Sequence, residues 1–449
     1  MSKYIYMIIV VVSMISSCKE KYETDRRPYV NDPILYCKTV KQLNNVVLEN
    51  NFPPMIASRN YAYANIAAYE VIVLGDNRFQ SLAGQIKHLP VLKKPDTAFA
   101  DLQYAALLAF CKVGEAVTFP EGSMSSYVAE LDSMVTAAHM SDKIKKASRQ
   151  VADSIANQIL RWSKKDNYLQ MRTATRYTVT NEDGRWVPTP PMYGQAVEPH
   201  WMEIRPMVLD SASQFMPPRP PVFDLKNRNS VYYKALLEVK TIGDSLTEEQ
   251  MHIADFWDDN PFKLNVSGHI MFATKRFSPP GHWMNIVGIG AKAAKADFNT
   301  TVAAYAKTAI ALFDAFISCW DEKFKSNLVR PETVINKVMS DAWRPYIQTP
   351  PFPSYTSGHA TNSAAAAEVM TEFFGDKLSF TDTSLLEFGI KNRTITSFRE
   401  AAKEAAMSRL YGGIHYRFDN EEGTKAGTKL GEFIVVKLKM SKESLTEKK

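Results

Sequence analysis

Residues 350–361 read Pro350-Pro351-Phe352-Pro353-Ser354-Tyr355-Thr356-Ser357-Gly358-His359-Ala360-Thr361. A proline-rich loop here runs into a helix of small residues, which continues from Asn362 to Ala367. Gly358 lets the backbone approach a ligand closely. The N–H groups at the helix start and the Ser357 hydroxyl together predict a cradle for an anion. His359 lies where its imidazole can exchange a proton with an oxygen of that anion.

The Ser-Gly-His triplet is weak by itself, because the chain holds a second copy at Ser267-Gly268-His269. That copy lacks the proline-rich lead and the small-residue helix. We interpret it as structural. Two further segments in the last third of the chain support a functional site at residues 357–359.

The first of these segments contains Lys323 and Arg330, which lie seven residues apart and precede Pro331. A helix that continued through both would place them on one side, and Pro331 would then end it. Two fixed cations suit a dianionic tetrahedral group, because arginine offers a planar fork and lysine a point charge. The pair alone would more often be a solvated surface.

The second segment contains Arg409, Gly412, Gly413, His415 and Asp419. The two glycines predict a helix end and a turn. His415 and Asp419 are four residues apart, so on a helix they would share a face. A carboxylate bonded to one imidazole nitrogen fixes the tautomer and leaves the other nitrogen free as a nucleophile or a metal ligand.

Together the three segments resemble the signature of the vanadium haloperoxidase and type 2 phosphatidic acid phosphatase superfamily. That signature is Lys, six residues, Arg-Pro; then Ser-Gly-His; then Ser-Arg, five residues, His, three residues, Asp. No signature position is substituted here. The stretches Phe352–Thr361, Phe256-Trp257 and Pro279–Trp283 are similar to bacterial homologues of fungal-type vanadium chloroperoxidase. The resemblance extends over about residues 45–440.

The resemblance implies a role for each cradle residue. Lys323, Arg330 and Arg409 would neutralise the equatorial oxygens of a bound vanadate or phosphate. Ser357 and Gly358 would add hydrogen bonds. The implied cofactor is vanadate in a haloperoxidase, and none in a phosphatase.

The same resemblance implies the catalytic residues. His415 would bond vanadium axially or attack phosphorus, and His359 would be the acid–base group. Asp419 would hold the tautomer of His415. A further acid often pairs with the last arginine in this family, and either Asp258 or Asp259 is a candidate for that position.

Three functions are considered, and the chain length, the proline-rich insertion and the Phe352–Thr361 segment favour the first of them. Loaded with vanadate, the site would oxidise halide with hydrogen peroxide. With a phosphate monoester it would form and hydrolyse a phosphohistidine. The third function is a lipoprotein that only binds an anion, and the intact His359, His415 and Asp419 argue against it, since binding needs no general acid. The substrates in the first two cases are small molecules.

The motifs sit at helix ends, with long connections between them. This arrangement predicts an all-α fold, a helical bundle with the site between antiparallel helices. One domain is expected over residues 33–449, with the active-site motifs in 320–420. Residues 168–222 form an irregular, proline-rich insertion, to which we expect the small strand content to be confined. The insertion either covers a binding site or is an inert surface excursion.

The N-terminus predicts export and a lipid anchor. Lys3 precedes an apolar stretch over residues 5–15, which has the length of a signal-peptide core and is too short to span a bilayer. Small residues before Cys18 resemble a bacterial lipoprotein cleavage box, so residues 1–17 would be removed and Cys18 acylated. Residues 18–32 would be a polar tether, and the domain would lie outside the cytoplasm, in the periplasm or at the cell surface. An ordinary signal peptide is the alternative.

The composition narrows the functional classes further. The chain has 449 residues, of which 45% are hydrophobic and 23% charged, with a net charge of +6. These values are ordinary for a globular protein. No long basic run interleaves with aromatic residues, so nucleic-acid binding has little support. Past the N-terminus we expect no stretch that is long and apolar enough to span a membrane.

Overall fold

A computed structural model describes residues 29–180, 182–261, 264–267, 270–273 and 275–442. Helices dominate these ranges, and the predicted all-α class is confirmed. The α-helices are α1 (Pro33–Glu49), α2 (Pro54–Ile72), α3 (Leu102–Val117), α4 (Ser125–Ala137), α5 (Asp142–Ser163), α6 (Tyr168–Met171), α7 (Val231–Gly243), α8 (Glu248–Phe256), α9 (Pro279–Ala293), α10 (Phe298–Ser326), α11 (Pro331–Val338), α12 (Gly358–Phe374), α13 (Phe398–Tyr411) and α14 (Arg417–Lys437).

Helix α10 forms the centre of the bundle. It starts after Asp297, whose carboxylate accepts a hydrogen bond from the Thr300 N–H. It packs mainly against α2 and α12. By length and composition it could cross a membrane, contrary to the expectation from the sequence, but its apolar stretch is entirely buried inside the protein. This stretch is therefore part of a core helix of the bundle.

Helices α12 and α14 pack closely because α14 carries a glycine every fourth residue along the contact. Gly423, Gly427 and Gly431 face α12. A Cβ atom at Gly427 would lie 2.1 Å from the Thr361 carbonyl oxygen, so only glycine fits there. The Ser357 N–H also donates to the Asp419 carbonyl at 3.0 Å, which joins the starts of the two helices. The two helices that carry most of the signature are thereby fixed to each other.

The strands lie outside the segment predicted to contain them. Within the described ranges, β1 (Leu264–Ser267) pairs with β2 (Ile270–Ala273), and β3 (Phe380–Asp382) pairs with β4 (Arg393–Ile395), both antiparallel. Ser267 ends β1, whereas Gly268 and His269 of the second Ser-Gly-His copy lie outside the described residues.

Among its described residues, the insertion at 168–222 contributes a single bridge, between Arg185 and Leu328. Backbone N–H groups of the insertion find hydrogen-bond partners other than strands. The buried Asp314 carboxylate accepts hydrogen bonds from the N–H groups of Met207, Val208 and Leu209. Proline-rich backbone lacks the donors that a strand ladder needs. The strand prediction for this segment was therefore wrong.

The same insertion lies against the proline-rich loop before α12. The Val197 N–H donates to the Pro351 carbonyl at 3.1 Å. The Tyr355 hydroxyl donates to the Pro218 carbonyl at 2.6 Å. These contacts show that the insertion packs against this loop, and both interpretations of the insertion remain open.

The predicted signal peptide and Cys18 lie outside the described residues. Tyr29 and Val30 already contact the helical domain: the Tyr29 N–H donates to Asp101, and Val30 is buried. Helix α1 begins at Pro33, with Asp32 as its N-cap.

Candidate active site

Lys323 and Arg330 do not share one helix, which corrects the prediction from their spacing. Helix α10 ends at Ser326, because Asn327 adopts a left-handed conformation (φ 48°). The chain then runs extended to Arg330, the N-cap of α11, and Pro331 begins that helix instead of ending one. Both cations nevertheless reach the same loop at residues 352–354.

Lys323 is fully buried near the C-terminal end of α10. Its Nζ donates to the Pro353 and Ser354 carbonyl oxygens at 2.8 and 2.9 Å. Burial lowers the pKa of Lys323 to about 7. An anion beside the ammonium would restore its charge, because an opposite charge favours the charged form.

Arg330 is also fully buried. Its Nε donates to the Phe352 carbonyl at 2.8 Å and its Nη1 to the Ile414 carbonyl at 2.8 Å. Nη1 also lies 3.0 Å from Nε2 of His415. Nη2 has no hydrogen-bond partner among the described residues. Burial lowers the pKa of Arg330 to about 9, so the guanidinium stays charged near neutral pH.

Arg409 lies in the last turn of α13 and is buried. Its Nη1 donates to the Trp257 carbonyl at 2.7 Å, and its Nε has no partner in the described part of the chain. Burial lowers the pKa of Arg409 to about 10, while the charges of Asp258 and Asp259 oppose that shift. Both candidate acids therefore lie close enough to act on this guanidinium.

The three cations are held mainly by main-chain carbonyl groups. A carbonyl carries only a partial charge, so it positions a cation without neutralising it. The buried positive charge is left available to an anionic ligand. The carbonyl groups belong to Phe352, Pro353, Ser354, Ile414 and Trp257.

His415 and Asp419 make the predicted contact in a different local geometry. Helix α14 begins only at Arg417, so His415 precedes it and Asp419 lies in its first turn. The His415 Nδ1 lies 2.8 Å from the Asp419 Oδ2. Asp419 also accepts hydrogen bonds from the Tyr416 N–H and the Ser354 hydroxyl.

These contacts fix the tautomer of His415. Because a carboxylate only accepts, Nδ1 carries the proton and Nε2 carries the lone pair that accepts from Arg330. Burial and the nearby Arg330 and Lys323 hold the pKa of His415 well below its usual range. Burial raises the pKa of Asp419 to about 6, so this carboxylate is largely ionised at neutral pH. The imidazole is therefore neutral, with a nucleophilic Nε2.

Ser357 and Gly358 form the start of α12. Ser357 is the N-cap, and its hydroxyl accepts from the Ala360 N–H at 3.4 Å. A Cβ atom at Gly358 would meet only the Trp320 ring, at 3.7 Å. Protein atoms alone therefore do not require a glycine at 358, whereas an anion seated against the N–H groups would.

His359 is the most exposed of the three catalytic candidates, with 13% of its side chain accessible. Its ring hydrogen-bonds the Trp257 carbonyl, while Nε2 has no partner among the described residues. Nδ1 is therefore the donor, and Nε2 can accept a proton. Burial, Arg409 and His282 hold the pKa of His359 well below its usual range.

The structure adds residues to which the sequence assigned no role. Nε2 of His359 lies 3.7 Å from Oδ2 of Asp259. Oδ1 of Asp259 lies 3.0 Å from Nδ1 of His282, and Nε2 of His282 lies 2.9 Å from Oδ2 of Asp382. The resemblance included His282 within Pro279–Trp283. Asp382 lies 100 residues after His282, and no sequence motif pointed to it.

The residues present fit a tetrahedral or five-coordinate oxyanion. Arg330 and Arg409 each keep an unpartnered N–H group among the described residues, and His415, which contacts Arg330, lines one cavity. Apolar and aromatic side chains supply most of its wall. Among the described residues, no three His, Cys, Asp or Glu side chains are grouped to hold a metal cation. The cavity is lined by Pro54, Asp259, Asn260, Pro261, Pro279, Phe316, Trp320, Pro350, Phe352, Gly358, His359 and His415.

Known proteins share this arrangement of helices. A family model described as the VCPO second helical-bundle domain matches residues 303–443. The crystal structure of a bacterial vanadium-dependent iodoperoxidase is 41% identical, with a TM-score of 0.87 over 95% of this chain and 100% of that chain. None of the curated proteins compared with this chain matches it.

More distant structures show the fold alone. A holo-type bacterial vanadium-dependent chloroperoxidase is 17% identical, with a TM-score of 0.63 over 87% of this chain and 93% of that chain. An apo-type structure of a bacterial vanadium-dependent chloroperoxidase is 18% identical, with a TM-score of 0.64 over 86% and 96%. The family model and the 41% identical structure confirm the resemblance seen in the sequence.

Proposed function

This chain belongs to the vanadium-dependent haloperoxidase family, a family of enzymes, and we propose that it binds orthovanadate and oxidises iodide with hydrogen peroxide. The overall reaction converts iodide, peroxide and one proton into hypoiodous acid and water. Iodide loses two electrons, and the peroxide O–O bond is reduced.

One observation carries the proposal: the neutral His415, whose Nε2 faces the buried cations. Nε2 is 3.0 Å from Nη1 of Arg330, and Nη2 of the same guanidinium has no partner among the described residues. An oxyanion between His415 and Arg330 would accept the hydrogen bond that Nη1 now donates to Nε2. It would also accept a hydrogen bond from Nη2. Bound vanadate would supply the Lewis acid that activates peroxide for oxygen transfer to halide.

The protein's own residues have separate tasks in this mechanism. Lys323, Arg330 and Arg409, all buried, would bind the oxyanion and stabilise its negative charge. Asp419 keeps the proton on Nδ1 of His415, so that Nε2 remains a ligand. His359 accepts or returns a proton at Nε2, opposite the carboxylate of Asp259.

The choice of iodide rests on the cavity wall and on the 41% identical relative. Phe316, Trp320 and Phe352 place aromatic rings in the cavity. Iodide is the largest and least hydrated of the common halides, so its transfer into an apolar cavity costs the least. The relative's name, iodoperoxidase, supports the same substrate.

Purified protein tests the proposal directly. Initial rates of iodide, bromide and chloride oxidation would be measured with peroxide, before and after incubation with orthovanadate. We expect vanadate-dependent turnover, with kcat/KM highest for iodide. His415→Ala serves as the matched control, because it removes the vanadium ligand. Iodide oxidation that needs no vanadate would contradict the proposal.

Phosphate-ester hydrolysis is a second candidate, favoured by the same lone pair. Nε2 of His415 could attack phosphorus, with His359 protonating the leaving oxygen. The phosphohistidine formed would then be hydrolysed by water. Hydrolysis of p-nitrophenyl phosphate without vanadate, and its inhibition by orthovanadate, would test this second activity in the same preparation.

We also propose that Cys18 is acylated after removal of residues 1–17 and that the domain lies outside the cytoplasm. The support is the lipoprotein-like sequence before Cys18. Cells expressing the full chain would be labelled with a fatty-acid analogue. Cys18→Ala should abolish labelling, and unchanged incorporation would contradict the anchor.

A further inference from the structure

A buried chain of three side chains extends from the site into the core. Asp259, His282 and Asp382 come from the loop after α8, from α9 and from β3. His282 and Asp382 are fully buried, and Asp259 is only 3% exposed. The two hydrogen bonds measure 3.0 and 2.9 Å. Two carboxylates and an imidazole taken this far from water are costly unless every group is paired.

We propose that His282 and Asp382 are positioning residues that hold the Asp259 carboxylate in place for the acid–base group His359. The inference rests on the proposed function, in which His359 moves a proton. Among the described residues, neither His282 nor Asp382 lines the cavity, and the hydrogen bonds of His282 go to Asp259 and Asp382. They act through Asp259.

The hydrogen-bonding chemistry supports this role. A carboxylate only accepts, so His282, placed between two carboxylates, must carry a proton on each ring nitrogen. Burial opposes that charge, but Asp259 and Asp382 outweigh it and raise the pKa of His282 to about 10. The cation binds Oδ1 of Asp259. Oδ2 then has no hydrogen-bond partner among the described residues and faces Nε2 of His359 at 3.7 Å.

The charges around His359 define what this arrangement does. Arg409 from α13, Lys323 from α10 and His282 from α9 all disfavour a proton on His359, and His415 faces the same cavity. Asp259 favours that proton.

The free enzyme therefore keeps Nε2 of His359 as a base. When Nε2 accepts a proton, an approach of about 1 Å gives a charge-assisted hydrogen bond to Oδ2 of Asp259. Rings of Phe256 and Trp257 pack against His282 at 5.5 and 4.8 Å, which keeps water away from the pair.

A double-mutant cycle tests whether Asp382 acts through Asp259. The variants are Asp259→Asn, Asp382→Asn and the double variant, each in the full chain loaded with orthovanadate. We expect Asp382→Asn to lower kcat for iodide about tenfold in the wild-type background and less than about twofold in the Asp259→Asn background. Equal losses in both backgrounds would overturn the assignment.

Two controls separate positioning from general destabilisation. The orthovanadate dissociation constant, measured by calorimetry, should stay within about threefold of wild type, since the three cations are intact. Asp166→Asn removes a carboxylate of similar burial that pairs with Arg59. It should lower the melting temperature and leave kcat unchanged.

A readout independent of turnover uses carbethoxylation of His359 by diethyl pyrocarbonate in vanadate-free protein, followed by mass spectrometry. Asp382→Asn lets His282 lose its proton, so no cation offsets the charge of Asp259, and His359 beside that carboxylate holds a proton at higher pH. The midpoint of the pH dependence of modification should rise by about 1 unit. An unchanged midpoint overturns the positioning assignment. A raised midpoint without iodide oxidation overturns the proposed function alone.

Discussion

At the scale of single residues, the site depends on which nitrogen of His415 carries the proton. Asp419 decides this, because its Oδ2 lies 2.8 Å from Nδ1. The same oxygen is held by the Tyr416 N–H at 3.2 Å and by the Ser354 hydroxyl. These two hydrogen bonds fix the Asp419 carboxylate. The carboxylate in turn fixes the orientation of the imidazole and the direction of the His415 lone pair.

Asp419→Asn should therefore cost far more activity than stability. The amide oxygen can take the position of Oδ2, but the loss of the carboxylate charge weakens the hold on the Nδ1 proton and lowers the basicity of Nε2. We expect kcat to fall by about 10²–10⁴-fold. The unfolding temperature and iodide turnover would be measured together, with exposed Glu432→Ala on the same helix as the control. Near-normal turnover would contradict the tautomer argument.

His359 and Arg409 should differ in how their loss depends on the leaving group. For phosphate esters, His359→Ala should cost about 10²–10⁴-fold where the leaving oxygen needs a proton, and less with p-nitrophenolate. Arg409→Ala should lower kcat/KM by a similar factor for every ester, because its guanidinium stabilises the oxyanion. The measurement is kcat/KM across esters of rising leaving-group pKa. A uniform loss for His359→Ala would mean that it is not the acid.

Sequence reasoning predicted local pairs well and remote ones poorly. The spacing of four residues predicted the His415–Asp419 contact, and the structure has it, although His415 precedes α14 instead of sharing its face. The Asp259–His282–Asp382 chain joins residues 23 and 100 positions apart. No local period or motif connects such positions, since only the packing of α9 against β3 brings them together.

At the scale of elements, the spacing argument failed where a single residue ended a helix. Asn327 turns the chain in a left-handed conformation after Ser326, so the face shared by Lys323 and Arg330 does not exist. Asparagine tolerates this conformation better than most residues. The end of α10 could have been suspected from Asn327, but the extended residues up to Arg330 depend on contacts with residues 184–186, such as the Trp186 N–H to Asn327 carbonyl bond.

The glycine contact between α12 and α14 gives a prediction at the same scale. Gly427→Ala would place a Cβ atom 2.1 Å from the Thr361 carbonyl oxygen, a backbone atom that cannot turn away. The helices would have to separate, at a cost of about 1–3 kcal/mol of unfolding free energy. Denaturant unfolding would measure it, with Glu432→Ala as the control on the exposed face. A stabilised Gly427→Ala protein, as expected for an unhindered helical glycine, would contradict this packing.

At the scale of the whole molecule, the buried His282 gives stability a dependence on alkaline pH. Its pKa is about 10 in the folded protein, against about 6.5 in an unfolded chain. The stabilisation is therefore complete below about pH 6.5 and is lost as the pH rises through about 10. Burial opposes ionisation of Asp382, but the charge of His282 outweighs burial and lowers the pKa of Asp382. The stabilisation that the Asp382 carboxylate contributes is therefore lost only in acid.

We expect the free energy of unfolding of wild type to fall between pH 7 and pH 10 more steeply than that of His282→Gln. The difference between the two proteins isolates the imidazole from other groups that titrate in that range. Denaturant midpoints at several pH values would measure it. Parallel curves would show that His282 is not a buried cation.

The carbonyl groups that hold the three cations have a consequence for how the pocket can diversify. Every residue has a carbonyl group, whatever its side chain. Phe352 holds Arg330 through its carbonyl, while its ring lines the cavity. The side chain at 352 can therefore be exchanged, and halide preference altered, without releasing Arg330. Under the proposed function, the carbonyl of Phe352 would hold the cation that binds the anion and the ring would meet the halide, so the two tasks lie in different parts of one residue.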